Sequence, residues 1–375
     1  MYQIKGKIDT ANASEFEKEI MAAKPTEIDA SQLEYISSAG LRVLMKLRKT
    51  VGEVTVRNVS SDVYEIFDVT GFTGILNVKK ALREVSVEGC EVIGAGGYGT
   101  VYRIDEETIV KVYHTASLDF IEKERELSKK AFLLGVPTAI SFDTVKVGDK
   151  YGVVYEMLDA RTVAQLISAD PSQLQQLGQL SAVTLKNLHS IEAKSGEFPN
   201  KKITLANWVR SIAKYLEREE VNAILNYIYS LPECSTFLHG DFNSKNVMVK
   251  DGEVLLIDIG DAAIGHPAFD IAGLMLTYLI MPNATTPDKV AALLGFDPAL
   301  AQKMWGVMCG TYFKTGDPQF IGKITQMLMP IALLLMTYHS FHYGNLDEQA
   351  IAARVERLIR GKLLPAIKDA QPIDF

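Results

Sequence analysis

The 375-residue sequence predicts an α/β domain followed by a larger α+β unit of two lobes, the first small and strand-rich, the second large and helical. Three observations carry this. Residues 1–85 alternate short strand and helix patterns, which argues an α/β layer. Residues 90–115 and 142–157 are rich in strand formers, with one helical pattern at 118–134 between them. From about 160 the helical pattern dominates, broken by one strand-like stretch at 236–258. The expected division is 1–85, 86–158 and 159–375.

The elements follow in order. Residues 2–8 have period-two character, and 13–23 read as a helix. Residues 27–36 read as extended. Residues 38–49 look helical, with Leu41, Leu44 and Met45 on one face and Leu47 beside it. Residues 54–59 read as a strand and 62–69 as a helix, with Gly71 as the stop. No tandem repeat or low-complexity segment appears.

Bulk properties exclude several classes of function. The chain carries 39 basic and 46 acidic side chains, a net charge of −7, and no long basic run, so nucleic acid or an anionic membrane surface is a poor fit as partner. Residues 1–85 hold 12 acidic and 12 basic side chains, so the excess negative charge lies beyond them. Cys90, Cys234 and Cys309 are far apart, without CxxC spacing, which argues against a disulfide framework or a zinc site and fits a reducing cytoplasm. The N-terminal residues lack a signal-peptide shape. The apolar stretches near 269–281 and 327–338 read as too short to span a bilayer.

The second unit opens with Ile93-Gly94-Ala95-Gly96-Gly97-Tyr98-Gly99-Thr100-Val101. Glycine lets backbone N–H groups approach phosphate oxygens without a Cβ clash. A dinucleotide fold would follow such glycines with a helix. Here strand patterns follow, at Val101–Ile104 and again at 108–112, so the glycines sit in a hairpin. A hairpin over phosphates, with Lys111 on the next strand, is the kinase arrangement. A Walker P-loop is absent. The alternative is a plain Gly-rich hairpin. Lys111 needs a carboxylate to fix it, and the helix from Leu118 offers Glu122, Glu124 and Glu126. Glu124 is favoured and Glu126 is second choice; the others on that helix are solvated.

The stronger pattern is His239-Gly240-Asp241-Phe242-Asn243-Ser244-Lys245-Asn246, followed by the apolar strand 254–257 and Asp258-Ile259-Gly260-Asp261. Phosphoryl transfer needs a carboxylate at the acceptor hydroxyl and hard oxygen ligands for Mg²⁺ near the phosphates. Asp241 suits the first task. Asn246, five residues on, and Asp258, at the end of a hairpin, suit the second. Each aspartate alone would read as a turn or helix cap; the combination with the glycine hairpin and Lys111 does not.

With these motifs in place, residues 86–375 resemble the aminoglycoside phosphotransferase and choline kinase group of kinase-like enzymes. The HGDxxxxN motif and the Asp258-Ile259-Gly260 segment carry the resemblance, supported by residues 177–191 and by Phe269-Asp270-Ile271-Ala272. It implies ATP and Mg²⁺ as cofactors, Asp241 as catalytic aspartate, Asn246 and Asp258 as metal ligands, and Gly94, Gly96, Gly99 and Lys111 as phosphate-binding residues. It implies that His239 orients the catalytic loop and that Asp270 caps a helix and braces that loop. Asp261 stays open between a place behind the metal and the surface. Eleven residues separate Asp258 from Asp270, leaving no room for a long phosphorylatable activation segment.

Residues 1–85 resemble a STAS domain, the fold of bacterial anti-sigma-factor antagonists, through Gly6–Asp9, the run from Asp29 to Leu41, and Val69-Thr70-Gly71-Phe72. In that family a serine at a helix start is phosphorylated. The matching tetrapeptide here, Ser37-Ser38-Ala39-Gly40, puts Ser38 on the phosphosite, although Ser37 replaces the family's aspartate. A phosphate there would meet free N–H groups and the positive end of the helix dipole. A capping serine is the plainer role.

Three functions remain in view. The first is transfer of the ATP γ-phosphoryl group to a hydroxyl-bearing small molecule, with a regulatory STAS domain. The stretch 262–294 has only Asp270 and Asp288 as acids, which disfavours a polycationic acceptor. The second is a serine protein kinase acting on Ser38 or on a paralogue. The third is an ATP-switched binding module that docks a protein partner through the STAS domain; the catalytic-type Asp241 counts against it.

Overall fold

The computed structural model describes residues 1–115, 117–342 and 346–375. Contacts divide the chain into two units: Met1–Glu88 with Thr144–Gly152, and Gly89–Asp143 with Val153–Phe375.

In the first unit β1 (Tyr2–Ile8), β2 (Glu27–Ile36), β3 (Thr55–Val59) and β4 (Asn77–Lys80) form a parallel sheet in that order. Three helices connect them: α1 (Ala13–Ala23), α2 (Ser38–Val51) and α3 (Ser61–Val69). Burial along β2 alternates at Ile28 and Ala30 and then slips to Leu33 and Ile36. The slip has a cause, since the β1–β2 register shifts twice over the same stretch. The start of α2 is set locally. Ser37 lies in extended backbone and its hydroxyl accepts from the Gly40 N–H at 3.4 Å. Arg48 and Lys49 in the last turn complement the helix dipole, and Gly52 stops the helix at φ 90°. The helices cover the sheet through Ile20, Leu41, Leu44 and Phe67, packed on Ile28 and Val56. A short strand, β5 (Arg83–Glu84), pairs with Val145 and Lys146.

The second unit begins with an antiparallel run, β6 (Val92–Ala95), β7 (Gly99–Arg103) and β8 (Thr108–Tyr113). Helix α4 (Leu118–Leu133) follows, capped by Ser117, and then β9 (Ser141–Val147) and β10 (Lys150–Glu156), of which Thr144–Val147 and Lys150–Gly152 are counted in the first unit. Strand β8 lies between β7 and β10. The helical part comprises β11 (Arg161–Thr162), α5 (Val163–Ala169), α6 (Leu174–Leu188), α7 (Lys201–Ser211) and α8 (Arg218–Ser230). Next come β12 (Phe237–Leu238), β13 (Val247–Lys250), β14 (Glu253–Leu256) and β15 (Ala263–Ile264). Then come α9 (Ala268–Met275), α10 (Pro287–Leu294), α11 (Ala301–Tyr312), α12 (Pro318–His342), α13 (Glu348–Arg354) and α14 (Leu364–Lys368). Strands β11, β13 and β14 form one small sheet, and β12 with β15 another.

The mixed architecture agrees with the expected α/β domain and α+β unit. One reading is corrected. The helical pattern around 327–338 reaches back to Pro318, so Pro318–Phe341 is long and apolar enough to cross a membrane by length and composition, with mean hydropathy 1.6. In the structure Ile324, Leu328, Ile331 and Leu335 of this helix belong to the core of the second unit.

Candidate active site

The glycine segment is a β-hairpin, as its flanking strand pattern requires. Gly94 pairs with Val101 and Ala95 with Thr100, and the Gly96 N–H closes the turn on the Gly99 carbonyl at 2.9 Å. Lys111 stands opposite Val101 in the next rung of the sheet.

From there the Lys111 ammonium makes two ion pairs, at 3.0 Å to Glu124 Oε1 and 2.6 Å to Asp258 Oδ1. Helix geometry selects among the three glutamates. Ile121, Glu124 and Ser128 share the inward face of α4, whereas Glu122 pairs with Arg125 at 3.3 Å and Glu126 is exposed. The Tyr113 hydroxyl donates to the same Glu124 oxygen at 2.7 Å. Burial would push the Lys111 ammonium toward neutrality, but the charges of Asp258 and Glu124 outweigh it and hold the pKa above its ordinary value. Burial likewise works against the Asp258 charge, and Lys111 overcomes it, so the Asp258 pKa lies below the ordinary carboxylate range.

Two close approaches shape the loops. Asp258 follows β14 in left-handed backbone, φ 63° and ψ 52°, which turns its carboxylate back toward Lys111. A Cβ on the nearby Gly260 would lie 2.6 Å from Glu124 Cγ. Gly240 has φ 86°, and a Cβ there would lie 2.1 Å from the Asp261 carbonyl oxygen.

The loop from His239 to Asn246 is wired from both ends. Asp241 receives an amide N–H on each carboxylate oxygen, from Asn243 at 3.2 Å and from Asn246 at 3.0 Å. Asn246 also donates to the Asp241 carbonyl at 2.9 Å, and its Oδ1 accepts no hydrogen bond among the described residues. Asp241 stays exposed at the surface, yet protein atoms crowd it and Asp261 and Asp258 lie near. Its pKa is pushed up to about 7. The buried Asp270 carboxylate accepts from the backbone N–H groups of His239 at 2.8 Å and Gly240 at 2.9 Å, with His189 Nε2 at 3.2 Å. Asp270 was expected to cap a helix; it makes no cap bond in α9, because the backbone of the loop takes both its oxygens. His239 is fully buried, and its Nδ1 accepts from the Asp241 N–H at 3.4 Å. Burial lowers its pKa and favours the neutral ring.

Four contributors escape a linear reading: Tyr113, His189, Tyr278 and Asn243. Tyr278 lies in a π-helical turn, Leu276–Ile280, and its hydroxyl accepts from the Ser244 N–H at 2.9 Å. Asn243 had a local signal, an Asx-type spacing two residues after Asp241. The other three reach the site only through packing.

The donor set fits Mg²⁺. Asp258 and Asn246 supply hard oxygens, and Mg²⁺ takes few protein ligands when phosphate oxygens and water complete its shell. Among the described residues no three His, Cys, Asp or Glu side chains converge as an all-protein metal cage.

Residues 89–300 match a family model described as the phosphotransferase enzyme family, and residues 1–85 match the STAS domain model. BtrV of Bordetella bronchiseptica, a proposed anti-sigma factor antagonist, is 34% identical over 84 residues, 20% of this chain and 72% of its own. The crystal structure of aminoglycoside phosphotransferase APH(2'')-Ib with ADP bound is similar in fold, with a TM-score of 0.50 and 16% identity over 82% of this chain and 99% of that one.

Proposed function

We propose, for a chain that belongs to the phosphotransferase enzyme family and carries a STAS domain, that the second unit moves the γ-phosphoryl group of Mg-ATP to a hydroxyl acceptor in the cytoplasm. The observation that carries this is the linkage Glu124–Lys111–Asp258, which brings an N–H donor for phosphates to a hard metal ligand. In this reading the acceptor oxygen bonds to the γ-phosphorus while the bridge to the β-phosphate breaks. ADP leaves with the bond's electrons, and the hydroxyl proton passes to Asp241. Lys111 holds α- and β-phosphate oxygens, fixed by Glu124. Gly94, Gly96 and Gly99 let the hairpin backbone approach the phosphates. Asn246 and Asp258 would hold Mg²⁺, which would neutralise phosphate charge. His239 and Asp270 position the Asp241 loop. Residues 86–158 and 159–375 would be the two lobes of the kinase-like domain, with 86–88 and 144–152 counted in the first unit by their contacts, and residues 1–85 a STAS domain that recruits a protein partner.

A second reading has its own observation. Ser37 is engaged as the N-cap, whereas Ser38 is exposed in the first turn of α2. A protein serine, Ser38 or its counterpart in a paralogue, is then the acceptor.

The test is incubation of the full chain with Mg²⁺ and γ-labelled ATP, as wild type, Ser38→Ala and Asp241→Ala. Turnover only with added hydroxyl compounds supports the first reading. Label on the wild type that Ser38→Ala loses supports the second. ATP binding without turnover leaves an ATP-switched binding module, and no ATP binding sinks all three.

A further inference from the structure

The strand that carries Lys111 holds a second polar residue to which the reaction assigns no task. Lys111 and Tyr113 stand two residues apart on β8, so their side chains leave the same face of the sheet. Tyr113 is 2% exposed, a large buried ring with one polar atom to satisfy. The Lys111 ammonium lies 5.0 Å from the centre of that ring, within cation–π reach. The Tyr113 hydroxyl donates to Glu124 Oε1 at 2.7 Å, and Lys111 meets the same oxygen at 3.0 Å. One carboxylate oxygen therefore takes two donors from one strand, and Tyr113 touches both members of the Lys111–Glu124 pair.

The backbone holds Tyr113 firmly at this point. Gly99 of β7 pairs with it, and a Cβ on Gly99 would lie 2.5 Å from the Val112 carbonyl oxygen and 3.4 Å from the Tyr113 Cα. The two strands thus close to a distance that only glycine permits. Strand β10 lies on the other side of β8 and brings Tyr155 into the cluster, where the Glu124 charge reaches both tyrosine hydroxyls. Burial, with Tyr155 and the Glu124 charge, holds the Tyr113 pKa well above its ordinary value, so the hydroxyl remains a donor. Glu124 needs such a donor. A glutamate loses rotamer freedom when it is fixed, and the Lys111 ammonium divides itself between Glu124 and Asp258, with the shorter contact, 2.6 Å, to Asp258. The Tyr113 hydroxyl holds Glu124 in place whichever carboxylate the ammonium favours.

We propose that Tyr113 is a positioning residue for nucleotide binding, which acts through Glu124 to set where the Lys111 ammonium meets the phosphates. The inference rests on the phosphotransferase reading, in which Lys111 holds α- and β-phosphate oxygens, and adds the residue that keeps its clamp in register.

The test measures binding of a non-hydrolysable ATP analogue with Mg²⁺ to the full chain by isothermal titration calorimetry, which needs no acceptor. Tyr113→Phe keeps the ring and removes the hydroxyl. It should weaken binding roughly tenfold, the loss of one hydrogen bond to a charged group. Glu124→Ala should weaken binding at least as much. Adding Tyr113→Phe to Glu124→Ala should then weaken it by no more than about twofold further, because the hydroxyl has lost the group through which it acts. A role in packing alone would make the two losses multiply. Tyr113→Met fills the buried site without a hydroxyl; it should weaken binding as Tyr113→Phe does and stands in for it should that variant fail to fold. Wild-type affinity in the folded Tyr113 variant or in Glu124→Ala, or losses that multiply in the double variant, overturn the role of Tyr113 and leave the phosphotransferase reading standing. If the wild type binds no analogue, that reading falls and the role of Tyr113 with it.

Discussion

Asn243 and Asn246 hand their amide N–H groups to Asp241, yet crowding and the nearby Asp261 and Asp258 push its pKa up to about 7. This has two opposite consequences with pH. In the proposed role of proton acceptor Asp241 must be ionised, so turnover should climb as pH rises through about 7. Stability runs the other way. The folded pKa lies above the ordinary 3.8, so the native state holds the extra proton between the two values. Its contribution is full below 3.8 and is lost as pH rises through about 7. Asp241→Asn should therefore lower kcat by ~10²–10⁴ while nucleotide affinity holds. Its melting temperature should gain on wild type at pH 8 and not at pH 4. Equal pH profiles of melting for the two proteins would count against this account. At this scale the linear motif was readable because Asp241 and Asn246 lie within one loop. Tyr113, His189 and Tyr278 were not, since their roles depend on which helix face or π-turn packs on the loop.

Between elements, the contact of α4 with the turn after β14 sets the Lys111 environment. Gly260 makes room for Glu124, and Gly260→Ala would press a methyl group against a flexible side chain rather than against backbone. The fold should tolerate this, but Glu124 should be displaced from Lys111. We expect a KM for ATP raised roughly tenfold, the loss of about one hydrogen bond to a charged group, with the melting temperature little changed. In the first unit, the two serines at the head of α2 separate in the same spirit. Ser37→Ala should cost about 1 kcal/mol in urea unfolding, as loss of an N-cap does. Ser38→Ala should stay within about 0.5 kcal/mol, as exposed substitutions do. Long periodic elements were legible: the helices at 13–23 and 118–134 and the strand at 2–8 match within a residue. Strands β5, β11 and β15 were missed, because two residues carry no periodicity and pair only when the tertiary fold brings a partner.

Among the described residues one buried apolar cluster centres on Ile28, Leu44 and Val56 in the first unit and another on Leu185, Ala272 and Leu334 in the second. With a cluster in each, the two units are expected to unfold as separate cooperative steps. Scanning calorimetry should show two transitions, and saturating Mg-ATP analogue at 100 times its Kd should stabilise only one of them, by about 2.7 kcal/mol. A single transition shifted as a whole would refute the independence. The composition already separated the two regions, since residues 1–85 are charge-balanced and the remainder carries the whole net charge of −7.

The buried Asp270 carboxylate has one more consequence, for the order in which the chain matures. The His239–Gly240 backbone bonds to a residue 30 or 31 positions away, and Lys111 meets Asp258 across 147 positions. Contacts that close such long loops form late, after local helices have appeared. A refolding chain should recover its helical circular dichroism first and its phosphoryl transfer afterwards. Newly made protein would then pass through a stage with most of its helices in place and no activity, and turnover would report the last act of folding.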